Sequence, residues 1–276
     1  MKKSTIAALV LLAAGLVCCF VAAGMGVRTA LLGAGSSLRM FQYQEKAEDK
    51  QLQVNSVERL EIDLDSAELT VQEGESWQLS GGKSTTWRTE GDKLVIEQEN
   101  ERGWWYKNHP APVTLTVPSD CPLYSLDIDV DAGSAVVSGI VTTRDITCSV
   151  DAGSVTMRDI DTQQLEAEVN AGAIDISACV RGIGASGAPV QLSCDAGEII
   201  LKLAEGSCIG RVSGEVDMGD LTISVNGERV LTRDAGISHE LSCRIPGTTG
   251  DGLMKLDCNI GSIEVSIQAS AEADAA

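Results

Sequence analysis

A chain of 276 residues with 43% apolar content can fill a core, but only 3% of its residues are aromatic, so that core must be built from Val, Ile, Leu and Ala. Such an aliphatic stack disfavours a deep ligand pocket, which aromatic side chains usually help to line. The 40 acidic against 21 basic residues give a formal charge of −19, which repels phosphate backbones and anionic head groups; this excludes nucleic acid as a partner and leaves divalent cations or basic polymers as compatible ones.

Residues 5–27 carry no charge, follow Lys2 and Lys3, and are long enough to cross a hydrocarbon core of roughly 30 Å. They are expected to form an N-terminal membrane anchor (1–27), with the bulk of the chain extracytoplasmic at the cell membrane. A cleaved signal peptide is the alternative, since Ala22-Ala23-Gly24 offers small residues to a peptidase. The apolar run continues past that point, which favours retention. Cys18 and Cys19 follow Gly15-Leu16-Val17, which lacks the small residue that a lipid-attachment site has just before its cysteine, so both read as membrane-helix residues. Residues 28–54, with the charged run Gln44 to Lys50, read as a juxtamembrane spacer.

From residue 60 one short pattern recurs: LEIDLDSAELTV (60–71), LDIDVDAGSAVV (126–137), ITCSVDAGSVTM (146–157), LEAEVNAGAIDI (165–176), VQLSCDAGEIIL (190–201), VSGEVDMGDLTI (212–223) and MKLDCNIGSIEV (254–265). With the glycine as position zero, positions −7, −5, −3, +2 and +4 are mostly apolar and those between are polar. Period-two alternation marks two half-buried strands with Asp-Ala-Gly as the corner between them. The glycines at 133, 153, 172, 197, 219 and 261 step by 19 to 25 residues, and the last step is about double. A repeat of that size is one coil of a parallel β-solenoid, which buries its strands only by stacking on neighbours.

The double step is expected to hide a decorated coil, since Val225-Asn226-Gly227-Glu228 contains the dipeptide of a tight β-hairpin, followed by alternating Leu241, Cys243 and Ile245. Residues 72–118 break the repeat, with strand candidates at 77–79, 94–96 and 113–117; they are expected to form an antiparallel N-terminal cap that covers the solenoid end. The acidic tail, 268–276, is expected to be disordered. The expected fold is therefore all-β, a single stack of solenoid coils over 55–267 preceded by one transmembrane helix.

Seven cysteines follow the anchor, an odd number without a CxxC spacing. Cys194 and Cys258 occupy position −3 and Cys148 position −5, where other coils carry aliphatic residues, so all three are expected to be buried free thiols. If coils stack in chain order, the coil of Val216 lies between Cys194 and Cys258 and holds their backbones about 9.6 Å apart or more, beyond the roughly 7 Å reach of a disulfide.

Several features together carry a resemblance. ValGluArgLeuGluIleAspLeu (57–64), the strand from Gly91 to Ile96, ValThrLeuThrValPro (113–118) and the repeated Asp-Ala-Gly corners follow a charged start and a membrane segment. In this the chain resembles the bacterial putative-adhesin family of cell-envelope β-solenoids over residues 55–267. The resemblance implies a solenoid fold, an envelope location and adhesion, and brings no catalytic residues with it. The corners here are Asp-Ala-Gly where the family commonly has Gly-Ser-Gly.

The sharpest column is position −2: Asp65, Asp131, Asp151, Asn170, Asp195, Asp217 and Asn259. Stacked coils would make it a ladder that calcium could bridge with hard oxygen ligands. The competing expectation, which the hydrophobic neighbours favour, is that these side chains bond the turn backbone while glycine supplies the corner. Gly182 to Gly187 satisfies GxGxxG, but Pro189 and the strand pattern after it leave no helix for a dinucleotide. His239-Glu240-Leu241-Ser242-Cys243 imitates half a zinc-protease motif on a strand-like alternation, and His109 is the one other histidine. Trp77, Trp87 and Trp104-Trp105-Tyr106 crowd the N-terminal part, as closure of the solenoid end or as a glycan- or partner-binding surface.

The sequence thus predicts no catalytic, cofactor-binding or metal site and no enzyme. A polysaccharide lyase, which shares the parallel coil, would carry a basic catalytic cluster. The expected function is presentation of a solenoid surface for adhesion or cell-envelope interaction, with an unidentified envelope protein or glycan as partner. The alternative is an accessory or sensory component of an envelope-stress or signalling system.

Overall fold

Where apolar residues recur every second position, a strand can turn all of them to one side, and the chain does so throughout. The computed structural model describes residues 43–44, 47–52, 54, 57–98, 108–109, 112–182, 188–246, 248 and 250–269. The expected membrane segment 5–27, the spacer up to 42 and the tail from 270 lie outside them. Among the described residues no helix is long and apolar enough to cross a membrane.

The described regular structure is entirely strand. Short strands come first: β1 (Tyr43–Gln44), β2 (Glu48–Gln51), β3 (Arg59–Leu64), β4 (Ala67–Gly74), β5 (Gln78–Gly81), β6 (Thr85–Glu90), β7 (Lys93–Gln98), β8 (Asn108–His109) and β9 (Val113–Pro118). Long, cornered strands follow: β10 (Leu123–Ser138), β11 (Thr142–Thr162), β12 (Gln164–Val180), β13 (Val190–Leu203), β14 (Ile209–Val225), β15 (Glu228–Arg244) and β16 (Gly252–Ile267). Fourteen of them form one mostly parallel sheet, and β1 pairs with β8 apart from it. The two short strands expected in each repeat are thus continuous through the corner, because the ladder resumes immediately beyond it: Val130 pairs with Val150, and Ala132 with Ala152.

Coils stack in the expected register. Val130, Val150, Val169 and Cys194 follow one another at position −3, and Ala135, Val155, Ile174 and Ile199 at position +2. These inward columns are the core; in β10 the side chains of Leu126, Ile128, Val130, Ala135 and Val137 are at most 1% exposed. Burying one such aliphatic side chain is worth roughly 1.5–3 kcal/mol, with alanine worth less. A single coil has no second layer to bury them against, so the fold exists only as a stack.

The corner glycines are required by the stacking itself. Gly153 has φ 148°, and a Cβ built there would lie 1.6 Å from the carbonyl oxygen of Gly133 in the coil before it. Gly172, Gly197, Gly219 and Gly261 repeat this contact, each against the corner glycine of its neighbour. Ala67 takes the same place in the coil of β3 and β4, opposite Gly133 and with no positive φ.

Two expectations about order are corrected. The stack does not follow the chain: β16 inserts between β13 and β14, so Cys258 lies directly opposite Cys194 and the coil of Val216 lies beyond both. The reason is the hairpin of β14 and β15, which takes the far end of the stack and leaves β13 open for the returning chain. At the other end, β7 and β9 are not an antiparallel cap. They run parallel to β3 and β4 as a further coil, and the antiparallel cover is β6 on β7 and β5 on β9, with β2 beyond β5. The expected tight turn is present, with φ 51° at Asn226 and 81° at Gly227, the positive pair that a two-residue hairpin of the right twist needs.

Candidate functional site

The polar residues that alternate with the core columns form the outer face of the same coils. In the arm before the corner this face carries Glu61, Asp63 and Asp65 on one coil, Asp127, Asp129 and Asp131 on the next, and Glu166 and Glu168 two coils further on. Stacking sets like charges side by side, since Asp63 lies opposite Asp129 in neighbouring parallel strands. Partial burial, reinforced by the charges of the neighbouring carboxylates, raises the carboxyls of Asp63 and Asp129 above the ordinary value. Asp127 is raised in the same way, by burial first and then by Glu61.

The ladder at position −2 changes character along the stack. Asp65, Asp131 and Asp151 follow one another without interruption, and then asparagine alternates with aspartate. Asn170 donates from Nδ2 to Asp151 Oδ1 at 2.7 Å, and Asn259 donates from Nδ2 to Asp195 Oδ1 at 2.7 Å. These bonds run between coils, where the expectation was bonding to the turn backbone. An amide between two carboxylates supplies a donor and separates the like charges, which an all-aspartate ladder cannot do. Among the described residues no group of three or more His, Cys, Asp or Glu is placed to hold a metal ion.

Over β12, β13, β16 and β14 the outer face widens into a shallow groove of about 320 Å³. It is lined by Glu166, Glu168, Ser193, Glu215 and Asp257, with Lys255 the one cation among its lining residues. A second cleft, of about 590 Å³, lies at the N-terminal end against Asp49, Lys50, Trp77, Gln78 and Thr116. Trp77 and Trp87 also pack on the core, so these two rings close the end of the stack. Trp104, Trp105 and Tyr106 lie outside the described residues, as do positions 183–187 of the GxGxxG run.

The motif-like histidine is settled by the backbone. His239 to Cys243 lie within β15, an extended strand paired with β14, so positions 239 and 243 do not share a helical face. His109 is in the two-residue strand β8. Cys148, Cys194 and Cys258 are buried and free, in the columns expected of them, and burial pushes the Cys148 thiol up to about 12.

Two features escaped the sequence reading. Asp234-Ala235-Gly236 is a further corner triplet, on β15, where Gly236 pairs with Gly219 from the opposite chain direction. Its signal was the triplet itself, hidden because the flanking alternation has to be read backwards in an antiparallel strand. On the arm beyond the corner, arginine and aspartate link successive coils: Arg158 with Asp175, and Arg181 with Asp161 at 2.8 Å. Their sequence offsets from the corner differ between partners, so no column reading aligns them. Exposed pairs of this kind contribute about 0–1 kcal/mol each.

No curated protein matches this chain. Among solved structures, it is similar to a putative cell adhesion protein from Clostridium sporogenes, at 12% identity over 82% of this chain and 99% of the other, with a TM-score of 0.41. A putative adhesin from Bacteroides fragilis matches at 12% identity over 80% and 99%, with a TM-score of 0.33. A putative lipid binding protein from Parabacteroides distasonis matches at 12% identity over 82% and 98%, with a TM-score of 0.28. With in-register coils cornered on a glycine column, and with residues 57–227 matching the family described as Toastrack DUF4097, this chain belongs to the Toastrack DUF4097 family.

Proposed function

We propose that this chain is a non-enzymatic, membrane-anchored, extracytoplasmic protein that uses one face of its solenoid for adhesion or for contact with another component of the cell envelope. The observation that carries the reading is the acidic face itself. Glu166 and Glu168 of β12, Asp257 of β16 and Glu215 of β14 line a groove that is shallow and open, with Ser193 of β13 between Glu168 and Asp257. An open surface on which acidic groups outnumber the single Lys255 suits an extended partner with matching positive charge, such as a basic segment of an envelope protein or a cationic glycan. The formal charge of −19 draws such partners from a distance. The uncharged run 5–27 supports retention at the membrane with the solenoid outside.

The test is the triple variant Glu166→Gln, Glu168→Gln, Glu215→Gln in the full-length chain, displayed on vesicles and passed over immobilised envelope material from the parent organism. Wild-type vesicles are expected to be retained and the variant to lose about tenfold or more in retention at low salt, with the difference between the two narrowing as salt is added. Equal retention of the two, with unchanged circular dichroism, would sink the reading of this face as the contact surface.

A further inference from the structure

We propose that Cys194 and Cys258 are a redox-convertible pair that closes to a disulfide, joining two coils that are neighbours in space and 64 residues apart in sequence. In the structure both are thiols. β13 and β16 run parallel with Cys194 directly opposite Cys258, both side chains point into the core, and each residue is 1% exposed. Their thiols are in hydrogen-bond contact, which together with burial holds the Cys258 thiol far above its ordinary value. Adjacent strands lie roughly 4.8 Å apart, inside the 4.4–6.8 Å that a disulfide spans between Cα atoms. Closure asks that the two Cβ atoms approach by about 1 Å, from the strand spacing to the usual disulfide separation of roughly 3.8 Å.

The position of the pair adds a second argument. At position −3 the coils of β3, β10, β11 and β12 carry Leu64, Val130, Val150 and Val169, and cysteine appears on the two coils where a returning strand is inserted. β16 has no short connection to either neighbour, so a bond from Cys258 to Cys194 ties down a strand that the chain itself leaves untethered. Cys148 serves as the internal contrast. It is equally buried, but its column neighbours are Ile128 and Ala167, which offer no sulfur.

The chemistry is thiol–disulfide exchange with a small-molecule disulfide as oxidant. The thiolate of one cysteine attacks that oxidant, forms a mixed disulfide and releases one small thiol. The second cysteine attacks the protein sulfur of the mixed disulfide and releases the other. The pair gives up two hydrogens and two sulfurs become bonded, while the oxidant is reduced to two thiols. Because both sulfurs are buried, exchange proceeds before β16 seats or when it lifts.

The experiment refolds the full-length chain in detergent with oxidised glutathione, alkylates the remaining thiols, digests, and reads the peptides by mass spectrometry. The expected result is a Cys194 peptide linked to a Cys258 peptide, with Cys148 recovered alkylated. The same sample should melt at a higher temperature than after reduction. Cys258→Val, which restores the side chain of neighbouring coils, should fold and show no shift with oxidant. Recovery of Cys194 and Cys258 as alkylated thiols, or their linkage to other cysteines, overturns the proposal. The peptide result on the unmutated chain decides this whether or not the variant folds, and neither outcome depends on the adhesion reading.

Discussion

A glycine column is usually read as a set of turns, yet at Gly153 the turn is the smaller part of the requirement. Its φ of 148° is strained for any side chain, and the added Cβ would meet backbone, which cannot swing aside as a side-chain tip could. Gly153→Ala is therefore expected to destabilise by about 3 kcal/mol, the upper end for special backbone positions, read as a lowered urea midpoint. Gly91 is the control. It has φ 67° and open space around its missing Cβ, so Gly91→Ala should cost only about 1 kcal/mol. Equal losses at the two sites would mean that strain alone, without the contact between coils, governs the column. The need for glycine at each corner was legible in the sequence. That its cause is the carbonyl of the next coil was not, because a single chain segment does not display its stacking partner.

Alternation along β10 to β14 and β16 identified each strand, its inward face and its register, since a one-residue slip would turn every apolar side chain outward. Stacking order is another matter. Position −3 is small and apolar in the coils of β10 to β14 and β16, so the core of β13 accepts β14 and β16 equally well, and the connections decide. The turn Asn226-Gly227 was readable, but its consequence was not: by sending β15 back along β14 it closes that side of β14 to the next strand. The acidic ladder was likewise visible as a column, while the bonds from Asn170 and Asn259 to their neighbours depend on which coils touch. If the turn holds this arrangement, Gly227→Val should cost about 1 kcal/mol and act locally. Amide exchange is expected to speed up across β15 and leave β11 and β12 unchanged. Uniform acceleration over all strands would show that the hairpin and the central coils open as one unit.

Across the whole molecule, the excess of acid sets how the stack responds to pH. Asp63, Asp127 and Asp129 have carboxyls raised by burial and by one another's charge, so the native state binds their protons more tightly than the unfolded chain does. By linkage, stability then falls as pH rises through the native values, and it is regained as pH falls from 7 toward the unfolded value of about 3.9. Glu90 works in the other direction, since its hydrogen bond with Arg88 lowers its carboxyl, but it is one exposed group against three on the crowded face. The melting temperature is therefore expected to be higher at about pH 5 than at pH 7, and added salt should raise it at pH 7 by screening the face. Asp129→Asn removes the carboxylate between Asp63 and the charges around Asp131 and Asp151, so it should stabilise the protein at pH 7 and flatten the pH dependence. The partner proposed for this face makes the same demand on the charges, because a cationic ligand would relieve the repulsion that protonation relieves. A melting temperature that drops steadily between pH 7 and pH 5 would mean that carboxyls lowered by an ion pair, as Glu90 is by Arg88, outweigh the crowded carboxylates, and that the acidic face carries no stored repulsion for a partner to relieve.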